Sequence, residues 1–257
     1  MSGVSIPPEV PEADMKTCVL IDGHALIQTL GKPPGCQTFG DYADALMRHV
    51  THHFGEHITR VDVVFDRYNG DESIKAGTRL KRVGKKKSIR KTIDGPDGPL
   101  PQVWSSFTAL EDNRADLARF LSITVMQKEE DLLARYELVT GGGFSDATEA
   151  RLTRRQNVKL HGNHEKAYTR LILHSCEEVI DGYDRILVIY SDTVVLLLLL
   201  HFMPSRAAQV WMISGTAKNR KCYPLHSVHD KLSQPVKEKL LGFHALTGSI
   251  NQSIRKD

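Results

Sequence analysis

The sequence has few of the features that mark secreted and membrane proteins. Its four cysteines show no C-x-x-C spacing and are too few for a disulfide scaffold, so reduced thiols in a nuclear or cytoplasmic protein are expected. The N-terminus lacks the basic and then apolar order of a secretory signal, and residues 1–15 are predicted to be a disordered lead-in. The apolar run at 194–202 is about half of what a membrane-spanning helix needs. No membrane partner is therefore expected.

Several catalytic signatures are also absent. No H-E-x-x-H and no cysteine at zinc spacing accompanies the 12 histidines, which excludes the common zinc sites. There is no phosphate loop ending in Lys-Ser/Thr and no G-x-S-x-G around a serine. A net charge of +3 is too small to indicate nucleic-acid binding, so only the distribution of charge along the chain can do so.

An alternation of strand-like and helix-like segments runs along the chain. A short continuous apolar run typical of a buried strand lies at residues 17–21, and further strand-like runs lie at 61–65, 136–140, 185–190 and 209–213. Apolar residues at helical spacing predict helices at residues 39–54, 105–121, 167–179, 193–202 and 235–246. This order predicts an α/β fold with a mostly parallel twisted sheet flanked by helices. We expect a single domain over residues 16–257, with a basic and Gly/Pro-rich insertion at about 73–103.

Aspartates stand where three of the predicted strands end, at Asp22, Asp66 and Asp192. The carboxyl ends of parallel strands share one edge of a sheet, where ligands bind, so these carboxylates are expected to converge. Converging carboxylates favour Mg²⁺ or Mn²⁺, and such ions assist phosphodiester hydrolysis. The alternative is that each aspartate only forms a turn or caps the following helix.

Seven short strings carry a resemblance to a known group: IDGH at 21–24, VFDRY at 64–68, GTR at 77–79, HEKAYTR at 164–170, SDTVV at 191–195, SGTAKN at 214–219 and HALTGS at 244–249. In this order and spacing, the chain resembles a group of uncharacterised, mobile-element-associated animal proteins that are similar to PIN and flap-endonuclease domains. The resemblance implies a PIN/flap-nuclease-like fold. It also implies that catalytic and metal-binding carboxylates lie at Asp22, Asp66, Glu165 and Asp192, with Mg²⁺ or Mn²⁺ as the cofactor if any is bound.

The chain departs from the group at acidic positions. The group reads H-E-E-A-D-T-R, S-D-T-D-V and A-L-T-G-C-D-T-T-S, whereas this chain has Lys166, Tyr168, Val194, Ser249 and Ile250 where the group has Glu, Asp, Asp, Cys and Asp. Hard divalent ions such as Mg²⁺ need oxygen ligands, so these losses predict a weak or inactive nuclease. Lys166, if it projects inward, would neutralise the remaining carboxylates without a metal.

Residues 73–93 contain no acidic residue. The basic side chains predicted to contact a nucleic-acid backbone are Lys75, Arg79, Lys81, Arg82, Lys85, Lys86 and Lys87. No aromatic residue lies among them to stack on bases. A solvated loop or a nuclear-localisation patch would explain the same composition.

Three functional hypotheses follow from these observations. The first is a degenerate PIN/flap-endonuclease-like domain that binds nucleic acid, with DNA and RNA both open as partners. The second is an active Mg²⁺-dependent endonuclease that uses the four acidic positions. The third is a protein-interaction domain that reuses the nuclease scaffold. Divalent-metal titration separates the second hypothesis from the others.

Overall fold

A computed structural model gives the fold of the chain. It describes residues 4–66, 89–127, 136–146, 148–153, 158–164, 166–190, 192–203, 209–215 and 219–254, and for residues 246–254 it describes the backbone alone. No helix of this described part is long and apolar enough to cross a membrane.

Seven strands of the described residues form one sheet. They are β1 (Thr17–Asp22), β2 (Ile58–Val64), β3 (Glu137–Gly141), β4 (Ala150–Leu152), β5 (Arg185–Ile189), β6 (Gln209–Ser214) and β7 (Lys221–Pro224). Their order in the sheet is β4-β3-β2-β1-β5-β6-β7. The β2–β3 and β5–β6 pairs are parallel, whereas β4 and β7 run antiparallel to β3 and β6. The predicted α/β class, with a mostly parallel sheet flanked by helices, is confirmed.

Helices connect most of these strands. They are α1 (Gly23–Leu30), α2 (Phe39–Thr51), α3 (Trp104–Thr108), α4 (Glu111–Gln127), α5 (Ala167–Ile180), α6 (Thr193–Phe202), α7 (Leu225–Lys231) and α8 (Gln234–Ile254), with a 3-10 turn at Val158–Leu160. The chain divides into two compact units, a central unit of residues 21–171 and a terminal unit of residues 1–20 and 172–257. The single domain expected from the sequence stays a prediction.

Local sequence sets the start of helix α2 in the central unit. The Thr38 hydroxyl accepts a hydrogen bond from the Asp41 N–H at 3.1 Å, and the Asp41 carboxylate accepts one from the Thr38 N–H at 2.9 Å. This reciprocal arrangement is a capping box, which fixes where a helix begins. The next N–H, from Phe39, donates to the Gly98 carbonyl at 2.9 Å. The Gly/Pro-rich part of the predicted insertion is therefore hydrogen-bonded to the N-terminus of this helix.

A buried ion pair lies inside strand β2. Arg60 and Asp62 are both fully buried, with Arg60 Nε 2.8 Å from Asp62 Oδ1 and Nη2 2.9 Å from Oδ2. Glu137, opposite Arg60 in the β2–β3 register, adds an oxygen 3.5 Å from Nη1. Two parallel hydrogen bonds between guanidinium and carboxylate form one of the strongest polar contacts in proteins. These interior charges are thus held by one another.

The terminal unit incorporates the residues that precede β1. Residues 4–16 contain no helix or strand. The Pro7 carbonyl accepts a hydrogen bond from the Cys222 N–H at 3.0 Å, and the Pro11 carbonyl accepts one from the Arg185 guanidinium at 2.9 Å. The segment predicted as a disordered lead-in is therefore hydrogen-bonded to β7 and β5.

Several element predictions need correction. The predicted helix at 105–121 is in fact two helices, α3 and α4. At the break between them, the Arg114 guanidinium donates hydrogen bonds to the carbonyls of Thr108 and Ala109, at 2.7 and 3.1 Å. Residues 149–160, where the sequence predicts neither a strand nor a helix, contain β4 and a 3-10 turn. Helix α1 was not predicted, because Asp22 and Gly23 are also typical of a loop. Strand β7 and helix α7 have too few residues to give a periodic pattern.

Candidate functional site

Asp22 ends strand β1 and caps helix α1. Its side chain is buried, and Oδ1 accepts hydrogen bonds from the N–H groups of His24 at 2.7 Å and Ala25 at 2.8 Å. These are two of the N–H groups that a helix leaves without partners at its first turn, and the helix dipole favours a negative charge there. The capping alternative given for Asp22 is therefore realised in the structure.

Phe65 brings the end of β2 next to the start of helix α1. A Cβ atom on Gly23 would overlap the Phe65 ring, so only glycine allows this close approach. The His24 ring meets the same phenyl ring edge-on, with centroids 5.8 Å apart. Because Asp66 follows Phe65 directly, residues 22–24 and residue 66 lie in one neighbourhood of the central unit.

Asp66 caps helix α5 across a separation of 101 residues. Its Oδ1 accepts a hydrogen bond from the Ala167 N–H at 2.8 Å, at the first residue of that helix. The carboxylate is half-buried. Lys166 immediately precedes Ala167, so the hydrogen bond also places the backbone of Lys166 beside the Asp66 carboxylate.

The charge of this neighbourhood is mixed rather than acidic. The pKa of His24 is lowered to about 4, chiefly by burial; the Asp66 carboxylate acts to raise it, and the Arg114 and Lys166 cations act to lower it. At neutral pH the imidazole is therefore uncharged. Two fixed positive charges, from Arg114 and Lys166, act on the same ring as the Asp66 carboxylate. No sequence pattern indicated Arg114, whereas His24 belongs to a string that carries the resemblance.

Arg170 forms hydrogen bonds with two loop segments beside this neighbourhood, at Thr148 and Gly162. The side chain is fully buried and donates to the Gly162 carbonyl at 2.8 Å and, at a longer 3.5 Å, to the Thr148 carbonyl. Gly142, at the end of β3, adopts φ 87°, and a Cβ there would overlap the Phe65 carbonyl. The backbone just before Asp66 is thus in close contact with the end of β3, and the Asp66 side chain is hydrogen-bonded to helix α5.

Asp192 is described within the terminal unit. It is exposed, and its Oδ1 accepts a hydrogen bond from the Val194 N–H at 2.9 Å, which caps helix α6. The expected convergence of Asp192 with Asp22 and Asp66 stays a prediction. Glu165 lies outside the described residues, and so do all seven basic residues predicted to bind nucleic acid: Lys75, Arg79, Lys81, Arg82, Lys85, Lys86 and Lys87.

The carboxyl-terminal end of residues 73–93 is described and is fixed to helix α4. Asn113 is fully buried, its Nδ2 donates to the carbonyls of Ile89 and Phe107 at 2.7 and 2.8 Å, and its Oδ1 accepts from the Lys91 N–H at 3.1 Å and the Arg90 guanidinium at 3.0 Å. The Asn113 amide thus has two donor contacts and two acceptor contacts, which fills its hydrogen-bonding capacity. Residues 89–91 therefore have a defined position next to the helix that carries Arg114.

The described residues around Asp22 and Asp66, which do not include Glu165, offer few carboxylate oxygens to a divalent ion. Over the described ranges, no group of three or more His, Cys, Asp or Glu side chains could hold a metal ion. Mg²⁺ and Mn²⁺ prefer oxygen ligands, and here one oxygen of each aspartate already accepts backbone N–H groups. A lysine occupies the position beside Asp66. The Mg²⁺ or Mn²⁺ cofactor therefore stays a prediction.

Comparison with known proteins completes the description of this site. The chain matches no protein-family model, no curated protein and no solved structure.

Proposed function

We propose that the chain is a degenerate PIN/flap-endonuclease-like domain, weak or inactive as a nuclease, that binds nucleic acid. The ancestry is supported by the order of the seven strings that resemble this group. It is also compatible with an α/β fold whose mostly parallel sheet has an aspartate at the end of β1 and another just past the end of β2. The fold class alone supports no activity, because one scaffold hosts many functions.

The proposal that the nuclease is weak or inactive depends on one observation. Asp22 and Asp66 remain, but their carboxylates cap helices α1 and α5, and Lys166 stands next to Asp66 where the group has a glutamate. Two-ion hydrolysis needs carboxylates that bridge the metals and leave room for water and the phosphate. A fixed cation beside a capped aspartate disfavours a metal ion at the same place through charge repulsion.

Nucleic-acid binding is supported by charge. The segment from Ser73 to Ile93 contains nine lysine and arginine residues and no acidic residue. Its described end, at Arg90 and Lys91, is hydrogen-bonded to Asn113 of helix α4, and Arg90 is also ion-paired with Asp116. Lysine and arginine side chains without acidic neighbours release counterions when they bind a phosphate backbone. Because this contact reads no bases, we expect binding with little sequence preference.

A cleavage and binding assay tests this function. Flap, single-stranded and duplex substrates in Mg²⁺ or Mn²⁺ should be cut no faster by the natural chain than by Asp22→Ala. Binding to the same substrates should weaken as salt rises, and it should be lost when Lys85, Lys86 and Lys87 are all changed to Glu. Lys239→Glu, at an exposed position of helix α8, reverses one charge away from the basic segment and should retain binding.

Two outcomes would contradict the proposal. Robust metal-dependent cleavage that Asp22→Ala abolishes would establish the active endonuclease instead. The absence of any salt-sensitive binding would remove the nucleic-acid function and favour the protein-interaction hypothesis.

A further inference from the structure

Strand β7 is the last strand in the order of the sheet, and it runs antiparallel to β6. In such a pair, alternate residues direct their backbone N–H and C=O groups away from the neighbouring strand. Cys222 is one of these residues, because its N–H donates to the Pro7 carbonyl at 3.0 Å and not to β6. Pro224, two positions further along, faces the same edge and has no N–H. The Cys222 N–H is therefore the donor through which another strand would pair with β7.

Residues 7–11, which we call the edge cover, occupy this edge. The Pro8 carbonyl accepts a hydrogen bond from the Cys222 thiol at 3.5 Å, and the Pro11 carbonyl accepts one from the Arg185 guanidinium at 2.9 Å. Cys222 is only 1% exposed, although it lies in an edge strand. The two adjacent prolines of the cover have no N–H to offer to a further strand. The cover thus takes the outward donor of β7 and ends the sheet there.

The two ends of this segment are held differently. After the cover, Lys16 donates from Nζ to the Asp181 carbonyl at 3.2 Å, and its ammonium lies 4.2 Å from the centroid of the Tyr183 ring. Strand β1 begins at the next residue. The cover itself contains no helix or strand, and it is joined to β7 and β5 by hydrogen bonds from Cys222 and Arg185. Its opening therefore breaks few contacts and leaves the strands paired, and such a local opening costs far less than global unfolding.

We infer that the edge cover is a displaceable guard that keeps β7 from pairing with β7 of a second copy of the chain. An uncovered edge strand is a template for pairing with another chain. A second copy fits this edge because two Cys222 residues placed opposite one another exchange both hydrogen bonds between their N–H and C=O groups. The same groups then face each other in both copies, so the pairing closes as a two-fold dimer. The inference does not depend on the function proposed above.

Cysteine labelling of the full chain measures the opening of the cover. Cys222 is enclosed by the cover, Cys176 is half-buried on helix α5, and Cys18 is buried within β1. Iodoacetamide labelling followed by mass spectrometry of the peptides gives the rate at each cysteine separately. In the natural chain, Cys222 should label more slowly than Cys176. Cys18 is the reference for global unfolding, because a rate that rises there reports the loss of the sheet.

The variant Pro7→Gly with Pro8→Gly loosens the cover without removing any residue. Glycine increases the conformational freedom of the detached segment, and the carbonyls that accept hydrogen bonds from Cys222 belong to the backbone and are retained. Cys222 should label about tenfold faster in this variant, with the reference cysteine unchanged. The matched control is Pro33→Gly with Pro34→Gly, which changes the other pair of adjacent prolines, in the segment before helix α2. It should leave the labelling of Cys222 unchanged.

Light scattering measures the pairing of copies. The weight-average mass of the loosened variant should rise with protein concentration by up to about twofold, whereas the masses of the natural chain and of the control variant should not change with concentration. A synthetic peptide of residues 4–16 should reverse this rise and slow the labelling of Cys222, because it fills the edge in trans. A peptide of the same composition in scrambled order should have no effect.

A rise in mass that the peptide reverses, together with faster labelling of Cys222 alone, supports the inference. Equal labelling of Cys222 in the natural chain and in both variants would show that residues 7–11 do not guard this edge. Faster labelling of Cys222 and Cys18 by the same factor would mean global unfolding and would overturn the local opening. Faster labelling of Cys222 without any rise in mass would mean that the uncovered edge does not pair with a second copy.

Discussion

Asp62 and Asp66 are only four residues apart but differ in burial and in hydrogen-bond partners. Asp62 lies within strand β2, and Asp66 lies just past its end. Asp62 is fully buried and accepts two hydrogen bonds from Arg60. Asp66 is half-buried and accepts the N–H of a residue 101 positions away. The first charge is neutralised by a neighbour on its own strand, whereas the second is held by a helix terminus. The Asp62 carboxylate is therefore paired with a side chain in the interior, whereas the Asp66 carboxylate joins two distant parts of the chain at the end of a strand.

The largest test of this comparison is removal of Asp62. Asp62→Ala removes the bidentate carboxylate partner of the buried Arg60 guanidinium, so the free energy of unfolding should fall by about 3–5 kcal/mol. Asp66→Ala removes a helix cap and should cost about 1 kcal/mol. Urea denaturation at pH 7 measures both variants.

A compensated variant separates charge from packing at the same site. Changing Arg60 to Met, Asp62 to Leu and Glu137 to Met together removes all three of these charges and should recover most of the lost stability. If Asp62→Ala and Asp66→Ala cost the same, the distinction between the two aspartates is wrong.

The next effect in size is the pH dependence of the free energy of unfolding that arises from His24, which lies in the same neighbourhood as Asp66. The pKa of this imidazole is 6.5 in an exposed histidine and about 4 in the folded chain, mainly because of burial. Between these pH values the unfolded chain binds a proton that the folded chain does not. The stabilising contribution is therefore complete above pH 6.5 and is lost as the pH falls to about 4, by up to about 3 kcal/mol.

The matched variant for this test is His24→Gln, which cannot take up the proton. Urea denaturation at half-unit steps from pH 7 to pH 4 should show a shallower loss of stability for His24→Gln than for the natural chain. Parallel curves would mean that the acid sensitivity arises elsewhere, for example at His49 or His164, whose pKa values are also lowered by burial.

The smallest effect compares two helix caps of different exposure. Asp22 is buried and accepts two N–H groups, whereas Asp192 is exposed and accepts one. Asp22→Ala should cost about 2 kcal/mol and Asp192→Ala about 0.5 kcal/mol. Asparagine also caps helices well, so Asp22→Asn and Asp192→Asn should both cost less than the alanine variants when measured by urea denaturation. A larger loss from Asp192→Ala than from Asp22→Ala would contradict the role of burial.

The sequence predicts the framework of this fold well because buried parallel strands are apolar on both faces. The runs at 17–21, 61–65, 136–140, 185–190 and 209–213 all correspond to strands, and α6 spans the residues expected of it with one cap residue before it. The failures are short or ambiguous segments. Strand β4 has three residues and β7 has four, which is too few for periodicity to reveal.

The site was harder to predict because its contacts join distant residues. The aspartates could be named from their place after apolar runs, but the hydrogen bond from Ala167 to Asp66 is a tertiary contact that no local pattern encodes. Arg114 lies on a helix among ordinary polar residues, and nothing in its spacing indicates a role. Arg60 and Asp62 stand two positions apart, which puts them on one face of a strand, yet their complete burial depends on what covers that face.

The saturated amide of Asn113 has a consequence for the end of the basic segment that the structure describes. Three backbone groups, the carbonyls of Ile89 and Phe107 and the N–H of Lys91, form hydrogen bonds with this one side chain. A leucine at position 113 has no donor or acceptor and would withdraw all three hydrogen bonds together. One substitution in helix α4 would therefore loosen the attachment of residues 89–91 without altering any basic side chain.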